Sequence, residues 1–126
     1  LIGADTNVLV RYFVEDDPAQ SRRVDALLAR GGFHIDDVVL CELVWVLRSG
    51  YRYDRPTIAK ALGRILATAE FSFTDRDLLR RALADYQTGS ADFSDYVIGR
   101  RNEQAGCEAT VTFDRALRDN PSFRVL

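Results

Sequence analysis

The patterning of this chain predicts an α/β fold with a central parallel sheet of four to five short strands, flanked by helices on both faces. Two observations carry that expectation. Short apolar runs alternate with longer amphipathic stretches from one end to the other, the order in which helices serve as crossovers between parallel strands. The residues between them are of the kind that start and stop helices: Asp-Pro at 17–18, Gly-Gly at 31–32, Arg-Pro at 55–56 and Gly-Ser at 89–90. With 126 residues, 47% of them hydrophobic, one domain of ordinary size with a core needing no staples is expected.

Taken in order, Leu1 to Ala4 reads as a short apolar strand, and Thr6 to Val14 as the helix that follows. Asp17 and Pro18 supply a cap and a first-turn proline for a second helix, which ends at Gly31-Gly32. Phe33 to Ile35 is a second strand, and Asp36 or Asp37 caps a strongly apolar helix reaching Ser49-Gly50. Arg55-Pro56 begins another, with Ile58, Leu62, Ile65 and Leu66 on one face. Phe71 to Phe73 alternates as a strand, and Asp75 to about Gln87 is amphipathic at the helical period. A helix from near Asp92 to about Gly106, a strand from Ala109 to Phe113, one helical turn opened by Asp114 and a strand from Phe123 to Leu126 complete the series.

Composition narrows the function classes. Cys41 and Cys107 have no second Cys or His at zinc-like spacing, and are expected to be buried small hydrophobes. No apolar run approaches the roughly 18 to 20 residues that span a bilayer. No signal-like segment precedes the first strand, and only an initiator residue is expected ahead of Leu1, so a reducing, cytoplasmic setting is expected. The net charge of −2 argues at face value against a nucleic-acid partner. Setting four carboxylates aside for a metal site leaves 15 acidic against 17 basic residues. All the basic residues except Lys60 are Arg, whose planar fork can bond two phosphate oxygens. RNA is therefore left open by charge.

Four acids stand out. Glu42 is the only charged residue in Val38 to Leu47, a helix apolar nearly all round and expected to be buried on most of its surface. A buried carboxylate must be neutral, paired or bound to a cation. Asp5 and Asp114 each follow a strand and precede a helix, where sites form in open α/β sheets but where Asp is equally a favoured helix cap. Asp95 stands three residues after Asp92, which fits a capping arrangement and also sets both carboxylates near one helix face. Gathered acids repel and are tolerated with cations between them, and oxygen-only ligation points to Mg²⁺ or Mn²⁺. Such carboxylate-held metals recur in phosphodiester hydrolysis. His34, the only histidine, falls in a strand and reads as a packing residue, and no phosphate loop or nucleophile elbow is present. Trp45 is expected in the core, although it and Tyr51 to Tyr53 would serve as dimer contacts if exposed.

The chain resembles the PIN-domain family over essentially its whole length, and most closely the VapC-type toxin ribonucleases of type II toxin–antitoxin systems. The resemblance rests on Asp5-Thr6-Asn7-Val8-Leu9, on Glu42 in its apolar helix, on the run from Asp92 to Gly99, and on Thr110 to Asp114. It implies that Asp5 and Asp95 are the principal metal ligands and that Glu42 and Asp114 complete the pocket. It implies also that Asn7 braces the first motif, that Thr112 sets a hydroxyl beside the last acid, and that Asp92 stands behind the ligands. One or two Mg²⁺ or Mn²⁺ ions, RNA cleavage leaving a 5′-phosphate and a 3′-hydroxyl, a cognate antitoxin and a homodimer follow from the same resemblance. Arg11, Arg48 and Arg115, close in sequence to these acids, are candidate phosphate contacts. Two departures from the family pattern are Tyr96-Val97, which would narrow the pocket, and Gly99 where Ala is common.

Two other readings compete. A receiver-type signalling module shares the size and the acids at strand ends, but needs a Lys after its last major strand, and Lys60 lies on a helix. A catalytically silent PIN-like RNA-binding or scaffold module would be expected to have lost some of the four acids.

Overall fold

In the computed structural model, which describes residues 1–126, every helix begins at an aspartate. Asp5, Asp17, Asp36, Asp54, Asp75 and Asp92 are the N-caps of α1 (Thr6–Phe13), α2 (Pro18–Arg30), α3 (Asp37–Ser49), α4 (Arg55–Ala67), α5 (Arg76–Thr88) and α6 (Phe93–Gln104). Asp114 caps a single 3₁₀ turn, Arg115–Leu117. An ionised carboxylate at this position accepts from the otherwise unpartnered first-turn amides and sits at the positive end of the helix dipole. The proline in the first turn of α2 and of α4 adds a preset φ and lacks an amide that would need a partner.

The five strands are β1 (Ile2–Ala4), β2 (Phe33–Ile35), β3 (Phe71–Ser72), β4 (Thr110–Thr112) and β5 (Phe123–Val125). All pairing is parallel, as the alternation predicts, but the strands are divided between two sheets. One has the order β1-β2-β3, with Ile2 opposite Phe33 and Phe33 opposite Phe71. The other pairs β4 with β5, Thr110 opposite Phe123. Strands of two or three residues carry too little pattern to announce their partners, so the division was not legible in the sequence.

The chain forms two compact units, Leu1–Thr74 and Asp75–Leu126. In the first, Phe33, Ile35, Leu40, Leu43, Leu47, Leu62 and Phe71 are fully buried, and Tyr12 meets Phe71 edge-on at 5.3 Å. In the second, Leu79, Ala82 and Phe93 are buried, Tyr86 meets Phe93 edge-on at 5.9 Å, and Arg100 forks onto both carboxylate oxygens of Asp85, at 2.8 and 2.9 Å. That two-bond geometry fixes α6 against α5 more firmly than a single contact would.

Several side chains differ from expectation. Trp45 is 61% exposed and Val38 64%, because α3 turns the face carrying Val38, Glu42 and Trp45 outward. The buried acid of α3 is Asp37 in its first turn, not Glu42. The Asp36-Asp37 doublet has divided its work, since Asp36 accepts the Val38 amide at 2.8 Å and Asp37 turns inward. Cys107 is exposed and Cys41 half-buried, with neither in a disulfide. No helix is long and apolar enough to cross a membrane.

Tyr96 and Val97 are buried, so they line the core of the second unit rather than narrow a pocket. The Tyr96 hydroxyl accepts the buried Ala91 amide at 3.1 Å and occupies the space a side chain at Gly89 would need. Gly99 is likewise a close approach, since a Cβ there would lie 2.6 Å from the Phe123 ring. Tyr96→Phe is expected to lower unfolding stability by about 1 kcal/mol, the net worth of one buried hydrogen bond, read as a lower urea midpoint at unchanged slope.

Candidate functional site

In the first unit, Asp5 directly follows β1 and stands at its carboxyl end. One of its oxygens, Oδ1, accepts the Val8 amide at 3.2 Å. Glu42 lies on α3 and is exposed. Thr6, the residue after Asp5, donates its hydroxyl to Glu42 Oε1 at 3.1 Å, so the first motif and the α3 acid are joined by a side-chain bond. Asn7, beside it, is exposed and makes no side-chain hydrogen bond. A hydroxyl immediately after a strand-end acid is the signal that the sequence holds for Thr6.

In the second unit, Asp95 is the third residue of α6, and its Oδ2 accepts the Asp92 amide at 3.2 Å. Asp114 follows β4, accepts the Ala116 amide through Oδ1 at 2.9 Å, and donates its own amide to Thr112 Oγ1 at 3.0 Å. Asp114 and Asp92 are near enough for their charges to act on Asp95. Within either unit alone, no three His, Cys, Asp or Glu side chains gather closely enough to hold a metal ion. The four acids fall two to a unit.

Cap and ligand, which the sequence leaves as rivals, need not compete for the same atom. Each of Asp5, Glu42, Asp95 and Asp114 has one oxygen engaged by the fold. The second oxygen of each has no hydrogen bond or ion pair with the protein. A hard divalent cation is bound by such oxygens, and the donor set is oxygen throughout, so the residues suit Mg²⁺ or Mn²⁺ chemically.

Titration separates Asp95 from two of the caps, Asp54 and Asp75. Hydrogen bonds at Thr57 hold the Asp54 carboxyl below the usual range, and those from Leu78 and Gln104 do the same for Asp75. Asp95 moves the other way. Burial pushes its carboxyl up, the bond from the Asp92 amide opposes this, and repulsion by Asp92 and Asp114 adds to the rise. A carboxyl raised by burial and by like charges is costly to keep ionised in the fold.

The candidate phosphate contacts differ in freedom. Arg11 pairs with Asp16 and donates Nε to Gln20 at 2.6 Å. The Tyr51 hydroxyl completes the clamp with a 2.9 Å bond to Asp16, and that bond, with Arg11, holds the Asp16 carboxyl low. Arg48 is exposed at the end of α3. Arg115, exposed beside Asp114, has no carboxylate partner. His34 faces Ser72 across the β2–β3 pair at 3.4 Å, a packing role as read from the sequence.

An acid whose folded pKa exceeds its unfolded value holds its proton more tightly when folded, so ionising it costs stability. That cost is absent below the unfolded value near 3.8, grows as pH rises through it, and is complete above the raised one. Asp95→Asn, which keeps an oxygen for the Asp92 amide, should therefore melt higher than the native chain at pH 7 without metal. The advantage should vanish by about pH 3, as thermal melts across that range would show.

A family model described as the PIN domain matches residues 3–121. No curated protein matches the chain. PIN domains are typically nucleases and generally use divalent metal ions. The match runs through both units and all four acidic motifs, and the chain belongs to the PIN-domain family.

Proposed function

We propose that this chain is a Mg²⁺- or Mn²⁺-dependent endoribonuclease acting through Asp5, Glu42, Asp95 and Asp114, and that it is the toxin of a VapBC-type toxin–antitoxin pair. The observation that carries the reading is the PIN-domain match running through all four acidic motifs, whose carboxylates each keep one oxygen without a partner in the protein.

Asp5 and Asp95 would hold one or two ions, with Glu42 and Asp114 completing the set. A bound divalent cation supplies charge stabilisation at the phosphate oxygens and lowers the pKa of water. Thr6 orients Glu42 through its 3.1 Å bond. The amide of Asp92 turns Asp95 so that Oδ1 is the oxygen left for the site, and Thr112 fixes the backbone of Asp114. Because the raised Asp95 proton must leave before an ion binds, affinity for metal should fall as pH falls. Arg115 is a free cation beside Asp114 for a substrate phosphate.

An antitoxin would hold the enzyme inactive, a guanidinium from it competing for the same carboxylates. Trp45 and Val38, exposed on α3, suit the contact between two copies in a homodimer.

Purified protein free of antitoxin should cut bacterial total RNA at few sites with Mg²⁺ or Mn²⁺ and not with chelator. Asp5→Asn and Asp95→Asn keep their helix-start bonds, so both should fold while cleavage falls by more than about 100-fold, beyond the cost of losing an outer hydrogen-bond partner. Equal cutting by the variants, or cutting that survives chelation, would refute the reading.

A further inference from the structure

Between α1 and α2 lies a groove of about 690 Å³, with Asp5 and Arg11 on one side and Arg23, Val24, Leu27 and Arg30 on the other. On α2 the residues 23, 27 and 30 fall on one face at helical spacing. Arg23 and Arg30 are exposed, and neither has a carboxylate partner. They differ in this from Arg11, whose charge is met by Asp16. Leu27, one of the few large hydrophobic side chains exposed on the surface, lies between the two free arginines at 39% exposure. The groove thus has a surplus of positive charge over its single acid, Asp5, arranged as cation, apolar side chain, cation.

Seven residues of helix advance about 10.5 Å, enough to set two guanidiniums on different phosphates of one strand, which follow one another every ~3.4 Å of axis when stacked and farther apart when extended. Guanidiniums suit phosphate oxygens, and apolar as well as aromatic side chains pack on the faces of unstacked bases. We propose that the α1–α2 groove is an RNA-strand subsite, in which Arg23 and Arg30 bind phosphates, Leu27 packs on a base, and the strand is led to Asp5. The assignment of RNA as occupant rests on the nuclease reading above. Asp5, an acid of that site, opens into the groove, which favours the substrate strand over an acidic protein segment.

The test is binding of a fluorescein-labelled, mixed-sequence single-stranded 12-nucleotide RNA, followed by anisotropy over a salt series in chelator, where no cleavage is needed. Arg23→Ala/Arg30→Ala should weaken binding and reduce the slope of log K against log salt by about 1.4, the value for two single-strand phosphate contacts. Arg23→Lys/Arg30→Lys should restore the slope, and Arg64→Ala, on α4, should leave it unchanged. With metal, the alanine pair should raise KM and leave kcat as it was. An unchanged slope and KM in the alanine pair would overturn the subsite while leaving the nuclease standing, and would hand the groove to a protein partner. A reduced slope in a chain that never cuts RNA would keep the subsite and refute the nuclease instead.

Discussion

The start of a helix exposes amides that no turn above can satisfy, and this chain answers that demand with an aspartate each time. The consequence reaches well past helix stability. In the first unit it places Asp5 at the carboxyl end of β1, and in the second it places Asp114 at the end of β4, where α/β proteins build their sites. A carboxylate has two oxygens, and a cap consumes one. What remains is a set of oxygens pre-oriented by backbone bonds, at little further conformational cost to any ion they hold.

That economy also explains why the site was only partly legible. Aspartate before an apolar stretch marks helix starts well, and with the two Arg-Pro and Asp-Pro signals it located every helix and strand to within a residue or two. The same abundance makes any one capping aspartate uninformative about function, because Asp17 and Asp54 are caps as much as Asp5 is. Only order and spacing across the whole chain, shared with the PIN-domain family, raised Asp5 and Asp114 above the other caps and joined Glu42 and Asp95 to them.

Other features depended on which way a face turned. The apolar run of α3 predicts burial, and the helix does bury Leu40, Leu43, Val44 and Leu47, but it leaves Val38, Glu42 and Trp45 outside. Nothing in the one-dimensional pattern chooses between Asp37 and Glu42 as the buried acid. Nor does sequence proximity to an acid identify a free cation: Arg11 is clamped by Asp16 and Gln20, whereas Arg23 and Arg30, far from any acidic motif, stand uncommitted.

Trp45 is the only tryptophan, and its exposure has an optical consequence. Its indole is largely exposed in a single folded copy, so a monomer's emission should be near that of a solvated ring, and unfolding a monomer would move it little. For a monomer, tryptophan fluorescence is therefore a poor gauge of folding and backbone dichroism the better one, whereas two copies meeting on α3 would shift the emission to the blue. Standing one helical turn from Glu42, the same ring becomes a local reporter of whatever settles on the outer face of α3, with no second indole to confuse the signal.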